Sequence, residues 1–354
     1  MSAQVRGDYT TRIVRPDSDA LPADPFIREA AALLRAGELV AFPTETVYGL
    51  GGNATSAEAV DRIYSAKQRP SDNPIIVHVS QVDAVGEFGD ISDGPFAVLA
   101  KHFWPGPLTM VVSVKSPIAA CRGLDTVAVR MPSNAVALAL ITLAGIPVAA
   151  PSANVSGRPS PTTAQHVLDD LKGRIPLILD GGPCEVGIES TVLDLIAPVP
   201  QILRSGAIPE TEIAAVLGQE VTHAPGVALH RSPGTRYRHY KPQAKVVILG
   251  EQISENVACR LLSRLSSRHR VGYISTMRHE NIANVIFRRI PDANGGLSRC
   301  LYSYFRELDK CEVSHIVLRA QPADPAMERA LRAADAVLLT DKTAEAFLLT
   351  LVTE

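Results

Sequence analysis

Residues 126–154 read TVAVRMPSNAVALALITLAGIPVAAPSAN, and this stretch decides the fold class. Residues 126–130 carry a β-branched and small-apolar run ending in an arginine, the pattern of a strand. The following 135–143 is apolar on every side and reads as a buried helix. Gly145 and Pro147 break that helix after about three turns, and 148–150 resume as a buried strand. There is no charged residue from Met131 to Gly157. Even so, fewer than about 18 contiguous apolar residues remain, which makes a helix and strand inside a core the reading over a membrane span.

The same alternation extends outward in both directions. Strands are predicted over 38–42, 75–79, 108–114, 126–130, 148–150, 177–180, 191–195 and 201–203. Helices are predicted near 25–36, 57–67, 96–103, 135–143 and 163–171, the first with Asp24 and Pro25 where an N-cap and first helical residue belong. That describes an α/β domain with a large mixed sheet over 12–218. Over 219–243 the periodicity stops in a segment rich in Pro, Gly, His and cations, which reads as a linker. From 244 to 354 strands (246–249, 271–275, 285–289, 313–318) and helices (254–266, 296–308, 324–334) alternate again, as in a smaller doubly wound unit.

Composition narrows the function classes. The chain has 354 residues, 35 Lys+Arg against 37 Asp+Glu, and 46% hydrophobic residues, which excludes both a disordered chain and a strongly basic nucleic-acid coat. Five cysteines, Cys121, Cys184, Cys259, Cys300 and Cys311, form no CxxC or Cys/His pair at metal-ligand spacing. No metal site or disulfide framework is expected, and a reducing cytoplasm fits best. The charged N-terminal stretch lacks the apolar core of a signal peptide.

The 26 prolines and 24 glycines cluster beside polar side chains at 43–52, 67–74, 104–107, 130–134, 151–163, 180–183 and 232–242. Turns favour these residues anyway, yet most of these clusters border strands, and loops at strand ends of an α/β sheet converge on ligands. Lys67 and Arg69 end a predicted helix, where two cations flank one anion or merely cap the helix carboxyl end. His78 interrupts an otherwise apolar strand, either as a satisfied core histidine or as a ligand contact. Arg130 closes an apolar strand and must be paired there; a carboxylate or phosphate ligand would do this bidentately. Ser152 and Asn154 lie between a buried strand and a helix start, where hydroxyls and amides hold phosphate oxygens. Thr162 and Thr163 could be plain N-caps. Ser190 and Thr191 begin another strand, and Arg204 ends one. Cations at four element ends suit a polyanion such as a nucleoside triphosphate. GxxxxGK[ST], GxGxxG after the first strand, HExxH and GxSxG are all absent, which points to catalysis by positioning and electrostatics.

Taken in order, FPTETVYGLGGNA (42–54), KQRPSDNPIIVHV (67–79), WPGPLT (104–109), VAVRMP (127–132), APSANVSGRPSPTT (150–163), GIESTV (187–192), ILRSGAI (202–208) and SPGTRYRHYKP (232–242) resemble the threonylcarbamoyl-AMP synthases of the long, two-domain type. The resemblance covers about 12–243 with specific motifs; beyond it, order, size and RALRAADAV (329–337) match. It implies a YrdC-like N-terminal domain, a twisted mixed sheet with a concave, positively charged cavity, and a Rossmann-like C-terminal domain, with the linker 219–243 folded over the cavity as a lid. It also implies an enzyme that condenses L-threonine, bicarbonate or CO2 and ATP into L-threonylcarbamoyladenylate and pyrophosphate. That product supplies the t6A modification at position 37 of tRNAs.

Carried over by motif, Thr46, His78, Arg130, Ser152 and Ser190 would hold threonine. ATP would be surrounded by Lys67, Arg69, Asn73, Thr126, Ser152, Asn154, Thr162 and Arg204, with Tyr237 or Tyr240 closing over it. Lys67 and Arg69 would stabilise the reacting carbamate and triphosphate, and Mg2+ would be held by the phosphates rather than by a protein cage. The sequence departs from the family pattern at Thr235 and Lys241, both peripheral. Partners implied are the three substrates, with tRNA or tRNA-modification proteins beyond them. The competing class is an RNA-binding module or a scaffold of that machinery. Near-neutral charge and a single Trp weigh against it, since single-stranded RNA is gripped by cations and stacked aromatics.

Overall fold

The structure is a computed structural model that describes residues 9–71, 73–92, 94–224, 241–250, 252–277, 282–291, 296–320, 325–340, 343, 344 and 347. Tyr237 and Tyr240, with most of the linker expected as a lid, lie outside the described residues. The chain divides into two compact units, 1–237 and 238–354.

The strands of the first unit are β1 (Arg12–Val14), β2 (Val40–Phe42), β3 (Gly49–Asn53), β4 (Ile76–His78), β5 (Leu108–Ser113), β6 (Thr126–Arg130), β7 (Val148–Ala149), β8 (Leu177–Leu179), β9 (Thr191–Asp194), β10 (Gln201–Arg204) and β11 (Thr222–His223). They form one mixed sheet in the order β1-β8-β2-β3-β7-β4-β6-β5-β9-β10-β11. Its helices are α1 (Pro25–Arg35), α2 (Ala57–Lys67), α3 (Gly94–Phe103), α4 (Ala135–Ala144), α5 (Ala164–Leu171) and α6 (Glu210–Leu217). The cap expected on α1 forms: the Asp24 carboxylate accepts from the N–H of Phe26 at 2.7 Å and of Ile27 at 3.1 Å, and Pro25 needs no such partner. α4 ends where Gly145 adopts φ +63°, a left-handed cap that suits glycine.

Departures from the sequence reading include β1, which no predicted strand covers. The Gly-rich stretch 49–53, read as a loop, is strand β3, paired antiparallel to β2 and β7. A Cβ on Gly51 would stand 2.7 Å from the Phe42 ring and 3.1 Å from Val148 Cγ1, so close packing rather than turning requires glycine there. The pair Thr222–His223, within the stretch read as linker, adds a short edge strand beside β10. Helix α6 was not anticipated; only Ile213 of it is buried, so its apolar periodicity is faint.

Period-two alternation assigns each strand residue to a face. One face buries Val77, Val127, Val129, Leu108, Met110 and Leu193 against α2, α3 and α5. On the other face α1 and α4 cover Val40, Phe42, Val148, Leu177 and Leu179. The remaining half of that second face carries a small all-strand cluster, Ile76, Val111, Ala128, Val192 and Leu203, to which no described helix contributes. Thr126 and Arg130 alternate with Ala128 onto this helix-free half, His78 alternates with Ile76, and Thr109 with Val111.

The second unit contains β12 (Lys245–Leu249), α7 (Glu255–Ser266), β13 (Val271–Ser275), β14 (Val285–Arg289), α8 (Gly296–Lys310), β15 (His315–Arg319), α9 (Pro325–Ala333) and β16 (Val337–Leu339). Its five strands are all parallel, in the order β14-β13-β15-β12-β16, around a core of its own that includes Leu261, Leu265, Tyr273 and Val317. Strand β16 escaped the sequence reading because it spans three residues, two of them exposed. Lys241, one of the departures from the family pattern, pairs with Asp335 at 2.8 Å within this unit.

Candidate active site

Arg130 ends β6 with its side chain 4% exposed, and each part of its guanidinium has a partner. Nε donates to Gly106 O at 3.2 Å, Nη1 to Thr46 Oγ1 at 3.0 Å, and Nη2 to Glu45 Oε1 at 2.6 Å. Sequence reasoning looked to a ligand for the charge partner of this arginine; the fold itself supplies one in Glu45, also buried. The other Glu45 oxygen accepts from Ser133 N at 3.1 Å. One N–H on each Nη is left over by these bonds. The adjoining hydroxyls have a fixed order: Thr44 donates to Val47 O at 2.6 Å, so at the 2.8 Å contact between them Thr46 donates to Thr44. Thr46 Oγ1 is thereby free to accept from Arg130.

His78 sits beside this pair, in register with Arg130 across β4 and β6. Burial, and then the neighbouring Arg130 charge, pull its pKa down to about 3, because both disfavour a second positive charge. The ring is therefore neutral at physiological pH. Its Nδ1 is buried and makes no hydrogen bond among the described residues.

Ser190, just before β9, joins the same face. Its hydroxyl lies 2.8 Å from Thr109 Oγ1, and Arg204 Nη2 donates to its hydroxyl at 3.0 Å and its carbonyl at 2.9 Å. Arg204, expected at ATP, is thus bonded to a residue expected at threonine. The glycine of the ILRSGAI motif explains the approach: a Cβ on Gly206 would lie 2.2 Å from Ser190 C and Thr191 N.

A second constellation forms at the end of α2. Lys67, 1% exposed, donates to Ser152 O, to Asn154 O at 2.7 Å and to Asn154 Oδ1 at 3.4 Å. It therefore holds the 152–154 loop rather than capping its own helix. Ser152 Oγ donates to Asn154 Oδ1 at 2.6 Å. Arg69 Nη2 donates to Pro74 O at 2.9 Å, and Tyr64 donates to Asn73 O at 2.8 Å, which ties Asn73 and Pro74 to the end of α2. Thr162 precedes the Thr163 cap of α5, and its N–H donates to His166 Nδ1 at 3.3 Å. Thr126 is buried at the start of β6.

The structure thus joins Thr46, Arg130 and His78; Ser190 and Arg204; and Lys67, Ser152 and Asn154. Sequence reasoning missed Glu45, Thr109 and the buried pair in which Ser160 donates to Glu189 at 2.7 Å. A signal existed for the first: Glu45 is the one charge between Glu38 and Glu58. No group of three or more His, Cys, Asp or Glu is placed to hold a metal among the described residues. Burial pushes the Cys184 thiol up, which disfavours the thiolate that a nucleophile needs. In the second unit a hollow of about 300 Å3 opens at the carboxyl ends of β12, β13 and β15, but its arginine, Arg319, is already tied to Glu255 and to Ile253 O.

Comparison with known proteins now bears on this geometry. Residues 32–206 match the Sua5, YciO and YrdC family described as Telomere recombination, and 208–335 match the family described as Threonylcarbamoyl-AMP synthase, C-terminal domain. The chain is 41% identical to the threonylcarbamoyl-AMP synthase of Bacillus subtilis (strain 168) over 84% of its length and 89% of that protein. The chain belongs to the threonylcarbamoyl-AMP synthase family. The Pyrococcus abyssi threonylcarbamoyl-AMP synthase is likewise 41% identical, over 82% of this chain and 87% of that one. A crystal structure of the P. abyssi Sua5 complexed with L-threonine superposes with a TM-score of 0.82 at 37% identity, covering 93% of this chain and 99% of the other. As a threonylcarbamoyl-AMP synthase family member the protein is a nucleotidyltransferase with the Sua5-like two-domain α/β fold. No helix among the described residues is long and apolar enough to cross a membrane.

Proposed function

We propose that this threonylcarbamoyl-AMP synthase binds L-threonine on the helix-free half-face around Arg130 and ATP around Lys67, Arg69, Asn73 and Asn154. The observation that carries the reading is the buried Arg130. It keeps an N–H on each Nη and stands among Thr46, neutral His78 and the Ser190–Arg204 pair. A carboxylate meets a guanidinium best through two such donors. A neutral imidazole can accept a hydrogen bond from the amino acid's ammonium or hydroxyl, which an imidazolium cannot.

The reaction then needs two steps. Threonine's amine attacks CO2, or bicarbonate with loss of water, forming a C–N bond and releasing a proton. A carbamate oxygen next attacks the α-phosphorus of ATP, and the bond to pyrophosphate breaks. Both steps develop negative charge, which fixed cations stabilise at low reorganisation cost. Lys67 and Arg69 are the cations assigned to this work, with Ser152, Thr126, Thr162 and Arg204 completing the surround. The described residues offer no metal cage, so Mg2+ would arrive on the phosphates of ATP, and no step here passes through a protein-bound metal. The product is suited to supply t6A in tRNA through a separate transfer enzyme.

The test is pyrophosphate release. It is expected to require L-threonine, bicarbonate and ATP together, and Arg130→Ala should raise KM for L-threonine by about 100-fold or more, the loss of a strong charge-assisted pair. Release without threonine, or an unchanged KM in Arg130→Ala, would refute the reading.

A further inference from the structure

We infer that Glu45 is a positioning residue for threonine recognition, acting through Arg130 and resting on the threonine site proposed above. Glu45 and Arg130 are both buried, with side-chain exposures of 5% and 4%, and their contact is 2.6 Å. A buried guanidinium without a counter-charge would be strongly disfavoured when the site is empty. Glu45 supplies that charge before any substrate arrives, and its geometry selects one pose. Its Oε1 takes Nη2 of Arg130, and its Oε2 takes Ser133 N from the chain just beyond β6. The carboxylate therefore ties Arg130 to the backbone that follows it.

Glu45 is itself fixed from behind. Val186 N donates to Glu45 O at 2.8 Å and Gly187 N to Thr46 O at 3.1 Å, so the 44–47 turn is pinned to the segment that leads into Ser190. Removing the Glu45 side chain frees one edge of the guanidinium and breaks the tie to Ser133 N, while the backbone bonds that hold Thr46 remain. The pair has a second consequence for the ligand. Arg130 and Glu45 offset one another in charge and His78 is neutral, so a ligand carboxylate meets Arg130 as half of an ion pair rather than as a lone cation.

The experiment compares Glu45→Ala, Glu45→Gln and Arg130→Ala in the full-length protein. It measures KM for L-threonine and for ATP, and competition by L-threoninol, which lacks the carboxylate. Glu45→Ala is expected to raise KM for threonine about tenfold or more while KM for ATP stays within about twofold, the split that separates positioning from general damage. Its preference for threonine over threoninol should fall by a similar factor. Glu45→Gln keeps an acceptor for Nη2 and should fall between wild type and Ala. If Glu45→Ala fails to fold, Glu45→Gln decides on the same two readouts. Equal losses for both substrates, or an unchanged preference over threoninol, would overturn the inference. If Arg130→Ala also left threonine KM unchanged, the threonine site itself would be wrong; an effect of Arg130→Ala alone would remove only the role of Glu45.

Discussion

Arg130 and Lys67 show what a buried cation costs and how this fold meets the cost in two ways. Arg130 is balanced by a carboxylate, Lys67 by two backbone carbonyls and an amide oxygen. Deleting Lys67 would take this donor from the Ser152 and Asn154 carbonyls, a loss of ~1–3 kcal/mol, so Lys67→Ala should be somewhat destabilised as well as impaired. His78 gives a cleaner prediction. Folded, it stays neutral down to about pH 3, whereas its ordinary pKa is 6.5. Between these values the unfolded chain binds the extra proton, so stability is full above pH 6.5 and drops as pH falls toward 3, by at most ~1.4 kcal/mol per pH unit from this group. Urea denaturation of wild type and His78→Asn at pH 7, 5 and 4 should show the difference between them shrinking with acidity. Parallel pH dependences would refute the assignment of a neutral buried ring. At this scale the sequence was legible wherever a polar residue broke an apolar pattern, as at His78 and Arg130. It was silent on partnership: nothing in VAVRMP says that its arginine is held by a glutamate 85 residues earlier.

Between residues and the whole lie the elements, and here glycine was the residue most easily misread. In GLGGN, glycines that look like a loop belong to a strand inside the sheet, because the Phe42 ring occupies the space a Cβ would need. Local preference alone could not show this, since strand propensity is set by neighbours. The long apolar segments were read well: α4 and β6 fall where their pattern places them, since full burial dictates both periodicity and length. Short elements such as β1, β11 and β16 carry too few residues for a pattern. Gly206 offers a test of an element-level contact. A Cβ there would stand 2.2 Å from the Ser190–Thr191 backbone, a clash that no shift of a flexible side chain relieves. Gly206→Ala should therefore destabilise the first unit by ~1–3 kcal/mol or more and weaken threonine binding by displacing Ser190. Wild-type stability in a denaturant titration, together with wild-type threonine affinity, would show that the turn has room to move.

At the scale of the molecule, a net charge of −2 conceals three buried cations of the first unit, Lys67, Arg130 and Arg204, each at the end of a strand or helix. The first unit devotes one sheet face to helices and leaves half of the other to Thr126, Arg130, His78 and Thr109. That arrangement follows from alternation in the strands, yet it was visible only once strand order was known, because β4, β6, β5 and β9 are neighbours in space and scattered in sequence. The central claim is a division of labour: threonine at the Arg130 constellation and ATP at the Lys67 constellation. Calorimetric titration of L-threonine and of ATP into wild type, Arg130→Ala and Lys67→Ala tests it directly. The account predicts that Arg130→Ala loses about 100-fold in threonine affinity with ATP affinity nearly kept, and that Lys67→Ala shows the reverse. Equal losses of both ligands in both variants, or threonine affinity intact without Arg130, would contradict it.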